Sequence, residues 1–201
     1  MNFRMWVAVG MMGLAAASTV FAEDAGAKLD RKLCSICHGP GGTTSSELFP
    51  QLAGQPAPYL IAQMKFFREK SRSDQNAQRF MWGISSRLTD DEIQQLAAFY
   101  TAQTPIHRGK ITDQAQYDLG KKLFTTGRTN TNTPPCESCH GDKGQGNETI
   151  PRIGGQNENY LKRQLKVFYG NERPAAVAMH EIVKTLSQSD IEAIAHYLQA
   201  Q

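Results

Sequence analysis

Cysteine is scarce in this chain: its 201 residues include only four. They fall into two close pairs, Cys34 with Cys37 and Cys136 with Cys139. If both pairs serve one kind of site, no cysteine is left for a disulfide, a separate thiol nucleophile or a further zinc site. The function of the chain therefore depends on what the two pairs do.

Long apolar runs and an excess of charge are also missing beyond the N-terminus. After residue 22 no stretch is apolar for long enough to span a bilayer. The 22 Lys and Arg residues are nearly balanced by 19 Asp and Glu residues. This balance predicts neither a nucleic-acid-binding surface nor a polybasic membrane-binding surface.

Residues 1–22 have the features of an export signal. Arg4 supplies a positive charge, residues 6–17 are largely apolar, and residues 20–22 (Val-Phe-Ala) form an acceptable cleavage site. A retained membrane anchor is the alternative, because the apolar stretch is not much shorter than a spanning helix. The cleavage pattern favours removal of the signal, which predicts a periplasmic mature protein that begins at Glu23.

The two cysteine pairs are each followed directly by a histidine. Cys34, Cys37 and His38 form one Cys-x-x-Cys-His motif, and the other is Cys136, Cys139 and His140. In such a motif both thiols can bond to the vinyl groups of a haem while the histidine ligates its iron. The sequence thus predicts two covalently attached haem c groups, which agrees with export, because bacteria attach haem outside the cytoplasmic membrane.

Two other uses of a cysteine pair compete with haem. A thioredoxin-like redox pair would require a βαβ context, which the sequence does not have. A four-cysteine zinc site would bring together motifs that lie 102 residues apart, and it would not need a histidine after each pair. The duplicated histidine therefore favours haem.

The resemblance between the two halves extends well beyond the motifs. A Pro-x-[Leu/Ile]-[Ala/Gly]-Gly-Gln segment begins at Pro50 and again at Pro151, and a Tyr-Leu-x-x-Gln-x-Lys-x-Phe segment begins at Tyr59 and again at Tyr160. A repeat of this length indicates two domains rather than a solenoid. We predict an N-terminal domain over residues 23–103, a linker over 104–111 and a C-terminal domain over 112–201.

Both domains are predicted to be all-helical. Helical spacing indicates helices at residues 57–70 and 157–169, and a short helix before each motif is clearest at residues 117–124. Thr89 and Ser187 are each followed three residues later by an acidic residue, which predicts the start of a last helix in each half.

The histidine of each motif is the predicted proximal ligand, so the distal ligand has to be identified separately. Met81 and Met179 occupy equivalent positions, each seven residues before the leucine that precedes the last helix, and both are expected in a loop. Met64 aligns with a leucine and is expected in the core. His180 is a stronger rival, but its counterpart is Trp82, which cannot ligate iron.

The sequence also predicts locations or supporting roles for several other residues. His107 and His196 have no counterpart in the other half and are expected at the surface or in the linker. Pro50 and Pro151 are expected to shape the loop near the proximal histidine. Two sets of shared side chains are expected either to bond the haem propionates and the methionine loop or to serve ordinary packing. They are Gln55, Tyr59 and Arg72 in the first half, and Gln156, Tyr160 and Arg173 in the second.

Taken together, the duplicated haem motifs, the shared Pro and Tyr segments and the equivalent methionines resemble the dihaem cytochrome c4 family. The resemblance covers nearly all of the predicted mature chain. It implies two tandem class I cytochrome c domains related by a pseudo-twofold, with His38 and Met81, and His140 and Met179, as axial pairs. A shorter Met179 loop and His180 depart from the family pattern.

This resemblance implies an electron carrier rather than an enzyme. Its partners would be redox proteins: a membrane terminal oxidase as acceptor, and a quinol-oxidising complex or small redox protein as donor. Peripheral association with a membrane is compatible with this role. A dihaem peroxidase or a thiosulfate-oxidising enzyme is the alternative, but it would need an open iron site, whereas His/Met coordination fills both axial positions.

Overall fold

The computed structural model describes residues 25–107 and 109–201, and these are mainly helical. In this part of the chain the only β-type pairings are two isolated bridges, Arg128 with Thr133 and Asn147 with Ile150. The fold therefore agrees with the all-helical prediction. The predicted export signal, residues 1–22, lies outside the described residues.

In the first half, four helices surround the first Cys-x-x-Cys-His motif. Helix α1 spans 25–38 and includes a π-helical stretch, Asp30–Cys34, before its last turn, Ser35–His38. A short 3-10 turn follows at Pro40–Gly42. The other three helices are α2 (Ala57–Arg68), α3 (Ala77–Met81 continued by Trp82–Ser85) and α4 (Asp90–Ala102).

The second half repeats this order with one change. Its first helix ends at Thr126, and a loop with a 3-10 turn at Thr129–Thr131 separates it from the motif. In the first half, by contrast, one helix runs through to the motif without a break. The helices of this half are α5 (Gln114–Thr126), α6 (Glu137–His140), α7 (Glu158–Val167), α8 (Val177–Val183) and α9 (Gln188–Leu198).

The two predicted capping signals are confirmed. The Thr89 hydroxyl accepts the Glu92 backbone N–H, and the Glu92 carboxylate accepts the Thr89 N–H, which starts α4. Ser187 and Asp190 make the same reciprocal pair at the start of α9. Each pair satisfies backbone donors that a helix N-terminus would otherwise leave unbonded.

The expectation that both methionines lie in a loop is wrong. Met81 is the last residue of the π-helical part of α3, and Met179 lies within α8. The reason in the first half is local: the Asp74 carboxylate accepts the Ala77 N–H at 3.3 Å and caps α3, and the following residues include neither Pro nor Gly before Gly83.

A buried glycine lets the first and last helices of each half cross closely. A Cβ on Gly26 would lie 2.4 Å from the Gln95 carbonyl oxygen of α4, and a Cβ on Gly120 would lie 2.0 Å from the Ala193 carbonyl oxygen of α9. Only glycine fits at such a separation. The close crossing therefore depends on Gly26 in the first half and on Gly120 in the second. Neither glycine was predicted from the sequence to have this role.

Each half has its own apolar core, formed mainly by its last helix. The first core contains Leu60 from α2, Leu88 just before α4, and the apolar side chains of α4. The second core contains Leu123 and Phe124 from α5 with most of the apolar face of α9. Met64 packs against the first core, as expected. Within the described residues, no helix has the length and apolar character needed to cross a membrane.

Candidate haem sites and the interface between them

The predicted proximal histidine of the first motif is held by a backbone carbonyl. His38 is buried, and its Nδ1 lies 2.9 Å from the Pro50 carbonyl oxygen. The Nδ1–H must therefore be the donor, which leaves the Nε2 lone pair for a metal. Burial lowers the pKa of His38, opposed by the Pro50 hydrogen bond and Asp30, so the neutral imidazole that ligates iron is favoured.

His140 is held in the same way. Its Nδ1 lies 3.0 Å from the Pro151 carbonyl oxygen, and burial again lowers the pKa of the imidazole. The prolines thus fix the tautomer and orientation of the histidines, in agreement with the expectation that Pro50 and Pro151 shape the loop near each one. In both halves the donor set, a neutral imidazole beside two thiols, fits covalent haem.

The four cysteines form no disulfide and lie in two separate pairs. Burial is the main cause that raises the pKa of Cys34, and burial raises the pKa of Cys136 to about 11. A redox-active pair would instead have a thiol of lowered pKa. Among the described residues, no group of three or more His, Cys, Asp or Glu side chains is placed to hold a metal ion, so the four-cysteine zinc alternative has no support.

The predicted distal ligands, Met81 and Met179, are both half-buried. In the first half an aromatic contact connects the two sides of the predicted site. Phe49 lies between His38 and Phe80, with ring centroids 5.9 Å from the imidazole and 5.2 Å from Phe80, the residue before Met81. At the equivalent positions the second half has Ile150 and Ala178, so this contact is not repeated.

His180 has hydrogen-bonding partners of its own. Its Nδ1 lies 2.6 Å from the Phe168 carbonyl oxygen and its Nε2 lies 2.9 Å from the Arg173 carbonyl oxygen. In the first half the Trp82 indole N–H donates to the Arg72 carbonyl oxygen at 2.9 Å. His180 therefore occupies the place of Trp82 beside the carbonyl of the shared arginine, and each of its ring nitrogens faces a carbonyl oxygen, of which a neutral imidazole can donate to one.

The glutamines after the shared prolines join the two halves. Gln51 donates its backbone N–H to Gln156 Oε1 at 2.8 Å, and Gln156 Nε2 donates to the Gln51 carbonyl oxygen at 3.0 Å. Gln55 makes the same two-way exchange with the backbone of Arg152. All these bonds run between domains, a role that the sequence did not predict because a repeat shows equivalence but not contact.

The shared arginines, with Tyr59, also lie at this interface. Arg72 donates to Gln63 of its own half and Gln164 of the other, and Arg173 donates to the same two side chains and to the Tyr59 hydroxyl. Burial alone raises the pKa of Tyr59, but the positive charges of Arg173 and Arg72 outweigh burial and hold it below its ordinary value. The interface therefore carries positive charge.

The expectation that His196 lies at the surface or in the linker is wrong, whereas His107 is exposed. His196 is 2% exposed. Its Nε2 accepts the backbone N–H groups of Thr112 and Asp113, each at 3.4 Å, and its Nδ1 lies 3.1 Å from Glu158 Oε2. It thus attaches the start of the second half to α7 and α9, which requires a polar side chain at a buried position of α9.

These features define a c-type cytochrome with two haem domains: two Cys-x-x-Cys-His motifs, each with a neutral histidine fixed by a proline carbonyl, in two similar helical units. The cytochrome c family model matches residues 23–101 and 117–201. The chain is 33% identical to cytochrome c4 of Azotobacter vinelandii, over 95% of this chain and 93% of the relative.

Two further relatives extend the comparison. The solved cytochrome c4 of Acidithiobacillus ferrooxidans superposes with a TM-score of 0.78 at 36% identity, covering 84% of this chain and 98% of that one. A thiosulfate dehydrogenase electron acceptor of Thiomonas intermedia is 28% identical over 84% of this chain and 78% of the relative. The chain belongs to the cytochrome c4 family. It is an electron carrier with two covalent haem c groups.

Proposed function

We propose that this protein works in the periplasm, exported by a cleavable signal at residues 1–22, and carries electrons from a donor protein to a terminal oxidase or reductase. The donor is a quinol-oxidising complex or a small redox protein. One haem belongs to residues 23–103 and the other to residues 112–201, with 104–111 as the linker. The electron enters at one haem, crosses the interface between the domains and leaves from the other.

The same residue types are proposed to hold the haem in both halves. Cys34 and Cys37, with Cys136 and Cys139, form the thioether bonds; the axial pairs are His38 with Met81 and His140 with Met179. The carbonyl-bound Nδ1 of each histidine supports this assignment, because it leaves Nε2 unprotonated for iron. An iron with both axial positions filled has no open site for substrate, which suits outer-sphere electron transfer.

The hydrogen bonds between the domains carry the proposal, because they hold the two haem units at a fixed separation through buried polar contacts. An absorption spectrum and a redox titration of the mature protein test it. We expect two low-spin haems, each with a methionine-to-iron charge-transfer band and a positive potential. A high-spin haem, or rapid reduction of peroxide, would favour an enzyme instead.

A second candidate concerns the donor. Because the chain is similar to a thiosulfate dehydrogenase electron acceptor, a thiosulfate-oxidising enzyme is the second candidate source of its electrons. Mixing the oxidised protein with such an enzyme and thiosulfate distinguishes the cases. Haem reduction that requires both additions supports this donor, and reduction only by a quinol-oxidising complex contradicts it.

A further inference from the structure

A hydrogen bond links the helix that carries Met81 to the buried interface between the domains. The indole N–H of Trp82, the residue after Met81, donates to the Arg72 carbonyl oxygen at 2.9 Å. Arg72 is 7% exposed, and its guanidinium donates to Gln63 Oε1 at 2.8 Å and to Gln164 Oε1 at 3.0 Å. These glutamines belong to different halves, so Trp82 is bonded to a residue that both domains hold in place.

Helix α3 needs such an anchor because it is short. Its π-helical part, Ala77–Met81, has five residues, and its last turn, Trp82–Ser85, has four. A helix of this length is not stable on its own in water. The Asp74 carboxylate caps its start, and the Trp82 side chain attaches it to the preceding loop just beyond Met81. The second contact is the one that lies next to the predicted ligand.

The second half makes a similar contact with a different side chain. His180, the residue after Met179, has its Nε2 2.9 Å from the Arg173 carbonyl oxygen. Tryptophan and histidine differ in size and hydrophobicity, but each carries a ring nitrogen that can donate a hydrogen bond. The two halves therefore have in common the polar contact to the carbonyl of the shared arginine, and not the shape of the ring.

The Trp82 ring also has a contact that does not involve its N–H. Lys70 Nζ lies 5.5 Å from the centroid of the Trp82 ring, and Lys70 is exposed. A cation over an aromatic ring contributes little at an exposed site. The charge contact and the hydrogen bond can therefore be removed one at a time, the first at Lys70 and the second at Trp82.

A ligand on a segment that opens locally is lost in proportion to the open population, so groups that fix the ligand from outside the coordination sphere supply much of its affinity. From the contacts of α3 we propose that Trp82 is a positioning residue for electron transfer. Its hydrogen bond to the Arg72 carbonyl holds Met81 on the iron of the first haem and thereby keeps that iron closed to other ligands. The proposal rests on the proposed axial pair of His38 and Met81.

Binding of imidazole to the ferric holo-protein tests the proposal, because imidazole competes with the axial methionine. NMR signals of the two methionine methyl groups follow each haem separately. Trp82→Phe removes the indole N–H, and we expect it to raise the apparent affinity of the first haem for imidazole by about fivefold or more, with the second haem unchanged. Lys70→Gln, which removes only the charge over the ring, is the matched control and should change neither affinity.

The proposal is overturned if Trp82→Phe lowers the free energy of unfolding but leaves imidazole binding unchanged, if Lys70→Gln has the same effect on binding, or if both haems gain affinity equally. Should Trp82→Phe fail to fold, β-(3-benzothienyl)alanine at position 82 replaces the N–H with sulfur, keeps the shape of the ring and should give the same rise. Trp82 is the only tryptophan of residues 23–201, so a tryptophan-requiring host inserts the analogue there alone. Failure of the ligand assignment is distinct: the wild-type protein would then lack two methionine-to-iron bands before imidazole is added.

Discussion

At the scale of single residues, the two candidate distal ligands of the second haem are separated by their hydrogen bonds. Met179 is a half-buried thioether in α8, whereas both nitrogens of His180 face backbone carbonyl oxygens. A histidine that ligates iron must give up one of these contacts. This arrangement supports Met179 as the proposed ligand over His180.

This difference predicts opposite results for adjacent substitutions. Met179→Ala should abolish one of two methionine-to-iron charge-transfer bands, while His180→Gln should keep both and lower the free energy of unfolding by about 1 to 2 kcal/mol through lost hydrogen bonds. Visible spectra and thermal unfolding of the two variants measure these effects. Met64→Leu, which copies the aligned residue of the other half, serves as the control. Retention of both bands in Met179→Ala would contradict the ligand assignment.

At the scale of helices, the crossing of the first and last helix in each half is decided by sterics. Gly26 and Gly120 face backbone carbonyl oxygens of the opposite helix, so an added methyl group has no room unless the helices separate. Gly83 in α3, by contrast, has no heavy atom within 4 Å of the position that a Cβ would occupy. A side chain is therefore sterically excluded at Gly26 and Gly120 but has room at Gly83.

Alanine substitutions should separate these cases. Gly26→Ala and Gly120→Ala should each lower the free energy of unfolding of the holo-protein by about 3 kcal/mol, because the helix pair must move apart. Gly83→Ala should raise it by about 0.5 to 1 kcal/mol, since alanine favours the helix. Chemical denaturation measures all three. A neutral effect of Gly120→Ala would show that the crossing is not close-packed.

The N-terminal caps of α4 and α9, the last helices of the two halves, differ in their burial and in their charged partners. The Asp190 side chain is 2% exposed and pairs with Arg128 as well as with Ser187, whereas Glu92, its counterpart in α4, is only half-buried. Burial alone raises the pKa of Asp190, but the Ser187 hydrogen bonds and Arg128 outweigh it and hold the pKa below its ordinary value. The carboxylate thus stabilises the folded state when ionised.

A pH-dependent comparison follows from that lowered pKa. At neutral pH, Asp190→Asn should cost about 2 to 3 kcal/mol and Glu92→Gln less than about 1 kcal/mol. The contribution of Asp190 is complete above its unfolded pKa, near 3.9, and disappears as the pH falls through the lower folded value. Unfolding measured from neutral to acidic pH should therefore show the cost of Asp190→Asn shrinking in acid. A cost that grows in acid would contradict the assigned shift.

At the scale of the whole molecule, buried side-chain amides hydrogen-bond the two domains to each other. Gln156 alone exchanges two hydrogen bonds with Gln51 and accepts the N–H of Asn157. Buried amides of this kind are costly unless they are paired, so they specify one arrangement of the domains. The separation of the haems depends on that arrangement.

Removing this amide should uncouple the domains. Gln156→Ala should lower the free energy of unfolding by about 2 kcal/mol or more, because the backbone N–H and carbonyl of Gln51 lose their partner, and should slow electron exchange between the haems. Calorimetry should resolve two unfolding transitions in place of one. Gln188→Ala, at an exposed position of α9, is the matched control. A single transition unchanged in position would show that other contacts carry the coupling.

Sequence patterns alone were enough to predict the two haem motifs, the repeat, the helical class and the caps at Thr89 and Ser187, because each depends on residues close together in the chain. Three features depend on the tertiary structure. His196 is buried, His180 lies between two backbone carbonyl oxygens, and Gln156 hydrogen-bonds to the other domain. A duplicated sequence records which positions are equivalent, but only packing decides which of them meet, since hydrogen bonds and close crossings depend on distances that no local pattern contains.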